Sequence, residues 1–456
     1  MGAVAGNHVG VTSFEPAAFR RFRFTERSLS GGTVRLGYAL DDAYEFVEEF
    51  DIPIPDAEPD PATVAPLLDL LHWVAGVSYF KTAVPPEVSC ETGSPPPATA
   101  QYLEALYSEG LGEFAVVNAL PHLPAPRFPR GSPRLQSRLT RIRPARVLVP
   151  IGGGKDSIVA LEIVRRAGLD FVLFSVRDDP AMQRTAAVAD VPRLVVERRL
   201  PLALLEDLHR NGALNGHIPI TAIISCVALL TAALHGYDAV VLANERSASS
   251  GNVVYDGVEV NHQFSKSARA ELLLREAAAE ATTAVDVFSI LRPASELAIA
   301  RRFAALERYH HAFTSCNAIF RLDPLLRRAS WCGSCPKCRF VFLALAPFMS
   351  PEALERIFGT PMLDDESQFD GFARLTATGG PKPFECVGEE DESLAAIQLL
   401  ADEPRWRDRP VVRRLIDEVL TEQGSDPTRT ATALTLSDEH WVPTELMDDV
   451  HALLGS

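Results

Sequence analysis

The chain has 456 residues, of which 47% are hydrophobic, and its formal net charge is −16 at pH 7. This length predicts two or three domains, the hydrophobic content suffices for packed cores, and the acidic excess disfavours a general nucleic-acid-binding protein. The N-terminus lacks a basic start followed by an apolar segment, and no uninterrupted apolar run reaches the roughly 20 residues needed to span a bilayer. We therefore expect a cytoplasmic protein without a membrane partner.

The first region, residues 1–143, is predicted to be a mixed α+β domain that ends in a linker. Residues 33–40 alternate as a strand does, whereas residues 62–77 and 98–111 repeat apolar side chains at helical spacing. The linker is rich in proline and glycine, and a solvated connection is the simplest interpretation, although its arginines could bind an anionic substrate. Those arginines are Arg127, Arg130, Arg134, Arg138, Arg141, Arg143 and Arg146.

The central region, residues 144–348, alternates strand and helix patterns, which predicts a doubly wound parallel sheet covered by helices on both faces. Short apolar runs place strands at residues 147–150, 171–175, 193–196 and 239–243. After residue 349 the chain becomes acidic, and helical patterns near 393–401 and 411–422 predict a mostly helical C-terminal appendage, residues 349–456.

The central region opens with Val-Leu-Val-Pro-Ile-Gly-Gly-Gly-Lys-Asp-Ser at residues 147–157, which is the pattern of a strand, a tight loop and a helix start. Glycines let backbone N–H groups turn toward an anion, and the helix N-terminus adds to the attraction. The loop matches the Ser-Gly-Gly-x-Asp-Ser pyrophosphatase loop (PP-loop) of enzymes that split ATP into AMP and pyrophosphate, with glycine replacing the first serine. An ordinary glycine-rich turn is the alternative. The predicted phosphate contacts are Gly152, Gly153, Gly154, Lys155, Asp156 and Ser157, with Asp156 also predicted to hold Mg²⁺.

Polar residues also follow the other predicted strands, where ligands of parallel sheets bind. We expect Ser157, Ser175, Val176 and Asn244 to converge on one crevice, with Ser175 and Val176 giving backbone contacts to adenine. Thr221 begins a helix near the phosphates. A dense polar loop follows the last strand, and a merely hydrophilic surface loop is the alternative. Its candidate residues are Asn244, Glu245, Arg246, Ser247, His262 and Lys266.

Three of the seven cysteines form a Cys-x₂-Cys-x₂-Cys cluster, and a fourth lies sixteen residues before it. Four thiolates suit a tetrahedral structural Zn²⁺, which we expect far from the chemistry, while an iron–sulfur cluster or unmetallated thiols are the alternatives. The predicted ligands are Cys316, Cys332, Cys335 and Cys338. Cys90, Cys226 and Cys386 are interpreted as small buried residues.

Together these segments resemble the bacterial UDP-N-acetylmuramoyl-L-alanyl-L-glutamate epimerase family. The resemblance rests on residues 152–157, 243–247, 260–266 and 331–338, and extends to 76–81 and 110–114. It implies that ATP adenylates the terminal glutamate of a UDP-muramoyl dipeptide, that the glutamate is inverted without pyridoxal phosphate, and that AMP and pyrophosphate are released. The cysteine cluster alone is also similar to that of 7-cyano-7-deazaguanine synthase. Another adenylating enzyme, such as a ligase, an amidase or a nucleobase- or tRNA-modifying enzyme, and a nucleotide sensor therefore remain alternatives.

The base that removes the glutamyl α-proton should lie at the same edge of the sheet as the loop. We predict His262 as proton acceptor or donor, because an unperturbed imidazole has a pKa of about 6.5. Glu245 is predicted to orient it or to serve the opposite face, and Lys266 to contact an anion. The alternative is that all three only bind substrate.

Overall fold

A computed structural model describes residues 13–55, 60–134, 143–319, 328, 330–380, 382–424 and 426–455. The linker residues Arg138 and Arg141 lie outside these ranges. The strands are β1 (Arg21–Ser30), β2 (Thr33–Leu40), β3 (Tyr44–Asp51), β4 (Glu87–Cys90), β5 (Arg146–Pro150), β6 (Asp170–Val176), β7 (Arg193–Arg199), β8 (Ala239–Leu242), β9 (Val253–Tyr255), β10 (Val258–Val260) and β11 (Asp286–Ser289).

The α-helices are α1 (Pro61–Ala75), α2 (Val77–Phe80), α3 (Pro97–Ser108), α4 (Gly112–Val117), α5 (Lys155–Arg166), α6 (Pro180–Ala189), α7 (Leu202–Arg210), α8 (Ile220–His235), α9 (Ala268–Ala281), α10 (Glu296–Ala304), α11 (Pro336–Leu345), α12 (Pro351–Phe358), α13 (Phe369–Ala373), α14 (Glu390–Asp402), α15 (Pro410–Arg414), α16 (Thr421–Gln423), α17 (Pro427–Leu434) and α18 (Thr444–Leu454). A π-helical turn, Leu415–Leu420, joins α15 to α16. Short 3₁₀ helices are Pro16–Ala18, Glu109–Leu111, Arg246–Ser249, Phe264–Lys266, Glu307–Tyr309, Asn317–Ile319, Ala346–Phe348, Glu366–Gln368 and Arg374–Thr376.

Within the described ranges, nine strands form one sheet in the order β11-β8-β5-β6-β7-β3-β2-β1-β4. The five strands from β11 to β7 are parallel, and β5 lies inside this half, with Leu148 opposite Val172 of β6 and Val240 of β8. The α/β class is confirmed, and each of the four strands predicted in the central region is present. The parallel arrangement predicted for these strands is confirmed, but the sheet is larger and mixed, because β3, β2 and β1 of the N-terminal region continue it with antiparallel pairs.

The sheet therefore runs across the predicted boundary at residue 143. Strand β3 pairs with β7, where Phe50 is opposite Arg198, and Arg198 donates a 2.5 Å hydrogen bond to the buried carboxylate of Glu48. One hydrophobic cluster contains Phe50 together with Leu148 and Val196 of the parallel half. Pairing with β3 satisfies the edge of β7 that a free-standing parallel sheet would leave open.

The C-terminal residues pack into a hydrophobic core shared with the central sheet. Within the described part of 349–455 the regular elements are helices. Ile397 of α14, Trp406 and Leu446 of α18 belong to the same buried cluster as Val149 of β5 and Phe288 of β11. These helices therefore cover the sheet instead of extending from it, and they bring side chains to the edge where the candidate site lies.

One helical stretch of the described chain, Pro61–Phe80, is long and apolar enough to cross a membrane by length and composition alone, and 83% of its apolar window is buried inside the protein. It comprises α1 and α2, and α1 packs on α8, α9 and β1. His72 of α1 bonds through Nε2 to the Gly37 carbonyl at 2.9 Å, and burial lowers the pKa of this imidazole to about 4. The apolar character of the stretch is thus explained by packing in the core.

Candidate active site

A cleft of about 350 Å³ opens at the carboxyl ends of the parallel strands. It lies between the loop after β5, the end of β6, the first turn of α8 and the segment after β8. Its polar and glycine lining contains most of the residues predicted from sequence. They are Gly152, Gly154, Asp156, Ser157, Ser175, Thr221, Asn244, Glu245 and Lys266, and Val176 lines the cleft with them. The convergence follows from topology, because parallel strands end at one edge of the sheet.

Gly152 and Gly153, in the loop after β5, differ in how much space surrounds their Cβ positions. Gly153 has φ +81°, and a Cβ at this position would lie 2.7 Å from Ala181 Cβ and 2.8 Å from the Ala181 carbonyl carbon. Gly152 has no heavy atom within 4 Å of such a Cβ, so its side of the loop is open. The carbonyl of Gly153 accepts a 2.9 Å hydrogen bond from Thr314, which holds the turn in place.

Helix α5 begins at Lys155 with no side chain capping its first turn. Ser157 donates a 3.0 Å hydrogen bond to the carbonyl of Gly154, and both residues line the cleft with Asp156. The first N–H groups of a helix have no partners within the helix, and the helix dipole makes this end positive. The loop and helix together therefore present an anion-binding geometry to the cleft.

Buried charges surround this helix start. The ammonium of Lys155 pairs with the carboxylates of Asp156 and Glu296, and Lys337 lies 3.5 Å from Glu296. Burial lowers the pKa of Lys155, with Asp156 opposing that effect. Burial raises the pKa of Asp156, but Lys155, Lys337 and Lys266 outweigh it, so the carboxyl group titrates below its usual range. Asp156 is thus an ionised, cleft-facing carboxylate.

A second group of charges lies around Cys386, which precedes α14. Its sulfur is 3.8 Å from Nζ of Lys266, and both residues line the cleft together with Lys337. Burial raises the pKa of the thiol, but Lys266 and a hydrogen bond with His262 outweigh it and lower the pKa to about 6. The sequence interpretation of Cys386 as a small buried residue was wrong, since it is half-buried and lines the cleft.

Behind Cys386 lie His262, His217 and Glu113. Nδ1 of His262 hydrogen-bonds to the carboxylate of Glu113, His217 Nδ1 lies 3.5 Å from the same carboxylate, and the two imidazole centroids are 4.5 Å apart. Burial lowers the pKa of His262, but its bonds to Cys386 and Glu113 raise it overall to about 9. Burial together with the neighbouring His262 lowers the pKa of His217 to about 4.

These three donors lie within 4.8 Å of one another, close enough for a metal ion. Nδ1 of His262 donates its N–H to the Glu113 carboxylate, so this nitrogen has no free lone pair for a metal ion. We therefore interpret the group as a hydrogen-bonded chain in which His262 is protonated at neutral pH. An imidazole with this pKa differs from the unperturbed base expected from sequence, and His262 is absent from the cleft lining.

Two other predicted residues point away from the cleft. After Glu245 the chain turns into the 3₁₀ helix Arg246–Ser249. Arg246 donates hydrogen bonds to the backbone carbonyls of Thr432, in α17, and Thr435, just after it. The Ser247 hydroxyl donates a 2.8 Å hydrogen bond to the Glu392 carboxylate of α14. Both side chains therefore hold the C-terminal helices, which the local polar pattern does not reveal.

Arg292 holds the two loops that carry Glu245 and Lys266. Its guanidinium is paired with the buried carboxylate of Glu271 at 2.7 Å and donates 2.6 Å hydrogen bonds to the backbone carbonyls of Glu245 and Lys266. Both members of the ion pair are about 1% exposed. A single buried arginine thus fixes the relative position of two segments that line the cleft.

The four predicted zinc ligands lie together, with all sulfurs within 4.8 Å of one another and 3.6 Å between Cys332 and Cys338. Backbone N–H groups of Cys335 and Cys338 donate to the sulfurs of Cys332 and Cys335. Hydrogen bonds from Cys335 and Cys338 lower the pKa of Cys316 to about 4. These are four sulfur donors in a set that could hold a metal ion.

The cysteine cluster, expected far from the chemistry, lies beside the candidate cleft. Lys337, between two of the cysteines, lines the cleft, as do Ser315 and Asn317 on either side of Cys316. Helix α11 begins at Pro336, so its first turn carries both a sulfur donor and a cleft lysine. The interleaved Cys-Pro-Lys-Cys pattern was the available signal for Lys337, whereas Glu113 and His217 had none, because their proximity to His262 depends on the fold.

The fold and the cleft define an α/β protein with a cleft lined by Lys266 and Lys337 at the carboxyl edge of its parallel strands. Family models described as the MurL N-terminal domain and the MurL C-terminal domain match residues 13–290 and 312–430. The chain belongs to the MurL family.

Three relatives share similarity over nearly the whole chain, and each is named UDP-N-acetyl-alpha-D-muramoyl-L-alanyl-L-glutamate epimerase. The protein of Micromonospora sp. is 46% identical over 91% of this chain and 94% of its own length. That of Salinispora tropica is 44% identical over 93% and 94%, and that of Xanthomonas oryzae pv. oryzae is 39% identical over 97% and 99%.

Proposed function

We propose that this chain inverts the terminal L-glutamyl residue of UDP-N-acetylmuramoyl-L-alanyl-L-glutamate to the D form, with ATP as co-substrate, in peptidoglycan precursor synthesis. The three relatives that carry this epimerase name are 39–46% identical to it. The partner of the site is thus a small-molecule nucleotide-sugar peptide. The single observation that carries the ATP requirement is the uncapped start of α5, whose glycine loop opens into the lysine-lined cleft.

Activation explains why an epimerase of this kind needs ATP. Removing the α-proton beside a free carboxylate would place a second negative charge on an anionic group. Transfer of AMP to the α-carboxylate, with release of pyrophosphate, forms an acyl-adenylate whose carbonyl accepts that charge as an enolate. Reprotonation on the opposite face and hydrolysis then give the D-glutamyl product and AMP.

The loop after β5 is suited to hold the phosphates in a PP-loop manner. The glycine at 152 leaves open space at the first position, and Gly154, Asp156 and Ser157 at the start of α5 line the cleft. Lys155 and Lys337 now share the carboxylate of Glu296. This carboxylate keeps both ammonium groups desolvated and in position before ATP binds. An incoming polyphosphate would compete with it for both ammonium groups.

Two metal ions fit residues of this region. Asp156 would hold Mg²⁺, because a hard cation prefers carboxylate oxygen, and when bound the ion neutralises pyrophosphate charge. The cysteine cluster would hold Zn²⁺, since tetrahedral Zn–S bonds of about 2.3 Å separate sulfurs by roughly 3.8 Å. The observed Cys332–Cys338 separation of 3.6 Å agrees with that spacing. Bound zinc would fix the first turn of α11 and therefore Lys337.

The proposal is tested by incubating the protein with ATP, Mg²⁺ and the UDP-muramoyl dipeptide and measuring AMP, pyrophosphate and D-glutamate. We expect Asp156→Asn to lower substrate-dependent AMP formation by about 100-fold or more, because it removes a charge at the reacting phosphates. The matched control is Asp190→Asn, an exposed aspartate with φ +54° at the end of α6, where asparagine is well tolerated.

Thermal unfolding of Asp156→Asn at the wild-type temperature would show that the loss of activity is not a loss of fold. Wild-type protein that forms no AMP would contradict the ATP requirement. AMP formation without D-glutamate, but with incorporation of ammonia or an amine, would identify a different adenylating enzyme.

A further inference from the structure

Cys386 is the cysteine that lines the cleft in the described part of the chain. It shares this lining with Gly152 and Asp156 of the phosphate loop, and its sulfur is 3.8 Å from Nζ of Lys266. A group in this position can reach an α-carbon whose carboxyl group is being adenylated at the loop. The α-carbon and the α-phosphate must lie close together, because only the carboxyl group separates them.

A chain of three hydrogen-bonding side chains leads from the protein interior to this sulfur. The Glu113 carboxylate accepts a hydrogen bond from Nδ1 of His262. The interaction of the His262 imidazole with Cys386 raises the pKa of His262 and lowers that of the thiol. Cys386 lines the cleft, but Glu113 and His262 do not. Of these three side chains, Cys386 is therefore the one placed to meet a bound substrate. Cys386 thus occupies the position of a nucleophile or base, His262 that of its partner, and Glu113 that of the acidic residue that orients the partner.

The charge state of the chain follows from its neighbours. Burial alone would keep the thiol protonated, but Lys266 and His262 outweigh burial and lower the thiol pKa to about 6, while the pKa of His262 is raised to about 9. Lys337 and Glu245 also lie near Cys386 and Lys266. Lys337 adds positive charge beside the sulfur, whereas the Glu245 carboxylate offsets part of the positive charge of Lys266. Near neutral pH the pair is thus a thiolate and an imidazolium, so only the sulfur can accept a proton.

We propose that Cys386 is the catalytic residue that takes the glutamyl α-proton, with His262 and Glu113 as positioning residues behind it. The inference rests on the proposed function. The S–H bond forms as the Cα–H bond breaks, and the electron pair of that bond moves to the carbonyl oxygen of the adenylated carboxyl group. A water-derived proton then adds to the opposite face of the enolate, and the thiol releases its proton to solvent.

The decisive experiment separates adenylation from proton exchange. Wild-type protein and Cys386→Ala, each in excess over the UDP-muramoyl dipeptide, are incubated with ATP and Mg²⁺ in D₂O, and the pyrophosphate formed in this single turnover and α-deuterium are measured. We expect pyrophosphate formation to stay within a few-fold of wild type, because adenylation precedes proton removal, and α-deuteration to fall about 100-fold or more. Cys386→Ser should behave in the same way, because a hydroxyl is not ionised near neutral pH.

The matched control is Cys90→Ala. This cysteine is also half-buried, but it lies on β4, and burial raises the pKa of its thiol to about 12. Both activities should remain at the wild-type level in this variant. Normal deuteration in Cys386→Ala would overturn the proposal, and so would loss of pyrophosphate formation together with deuteration. Failure of the proposed function is distinguishable, because wild-type protein would then release no AMP.

A second measurement does not depend on turnover. Alkylation of wild-type protein by iodoacetamide, followed by peptide mapping, should show Cys386 reacting with a midpoint near pH 6. His262→Ala and Glu113→Gln should move this midpoint upward, by more in His262→Ala, which loses direct contact with the sulfur. A merely structural role for these two residues would leave the midpoint unchanged. An unshifted midpoint in His262→Ala would overturn their assignment as positioning residues.

Discussion

Substitution of Gly153 by alanine should damage the phosphate loop through two separable effects. The backbone at this position has φ +81°, and an L side chain held in the left-handed region costs about 1–2 kcal/mol. The new Cβ would also lie 2.7–2.9 Å from three atoms of Ala181, two of them backbone atoms. Overpacking against atoms that cannot rotate away adds about 1–3 kcal/mol. The expected loss of unfolding free energy is therefore about 2–5 kcal/mol.

Two other glycines separate these effects. Gly168 has φ +66° and open space around its Cβ position, so Gly168→Ala measures the backbone effect alone and should cost about 1 kcal/mol. Gly152 has no contact within 4 Å and no positive φ, so Gly152→Ala should change stability by less than about 0.5 kcal/mol. Urea unfolding followed by circular dichroism measures all three variants under identical conditions.

The loop of Gly153→Ala can also relieve the contact by shifting, and the cost then appears in activity. A displacement of about 1 Å at the phosphates is enough to lower the rate about 100-fold. ATP-dependent pyrophosphate release should therefore fall in Gly153→Ala and remain near the wild-type level in Gly168→Ala, which lies at the far end of α5. If Gly153→Ala were as stable and as active as Gly168→Ala, the reasoning from the Ala181 contact would be refuted.

Three further predictions concern the frame of the site, the core and the cysteine cluster. Arg292→Met removes the ion-pair partner of the buried Glu271 carboxylate and should lower the unfolding free energy by about 3–5 kcal/mol. The control, Arg21→Ala at an exposed ion pair, should lower it by about 0–1 kcal/mol. Equal losses in urea unfolding would contradict this prediction. The pKa of His72 is about 4 in the folded protein, below its unfolded value of about 6.5. As the pH drops from about 6.5 to 4, the unfolded chain binds a proton at His72 that the folded protein does not bind, so stability falls. The loss should reach about 3 kcal/mol in pH-dependent unfolding and disappear in His72→Gln, and a wild-type profile in that variant would be inconsistent with it. Elemental analysis should find one zinc per wild-type chain and less in Cys338→Ser, together with a lower unfolding temperature; metal-free fresh wild-type protein would exclude the zinc site.

The sequence by itself determined the elements whose signals are local. The apolar run 147–150, the three glycines and the helix start at Lys155 lie within a few residues of one another, so strand, turn and helix were readable without any distant contact. The parallel order of the central strands then implied one edge for Ser157, Ser175 and Asn244, because strands joined by crossover helices end on the same side of the sheet. The spacing of the four cysteines likewise predicted a sulfur cluster.

Only the tertiary structure decided which side chains face the cleft and what charge they carry. Lys266 and Cys386 are 120 residues apart, and Glu113 and His262 are 149 apart, so neither contact has a sequence signal. The pairing of β3 with β7 joins segments about 150 residues apart and merges the predicted N-terminal domain with the central sheet. Burial and neighbouring charges shift the pKa of a side chain, and both are properties of the packed fold. For that reason a cysteine that looked like core in the sequence lies beside Lys266 in the cleft, where its neighbours lower the pKa of its thiol to about 6.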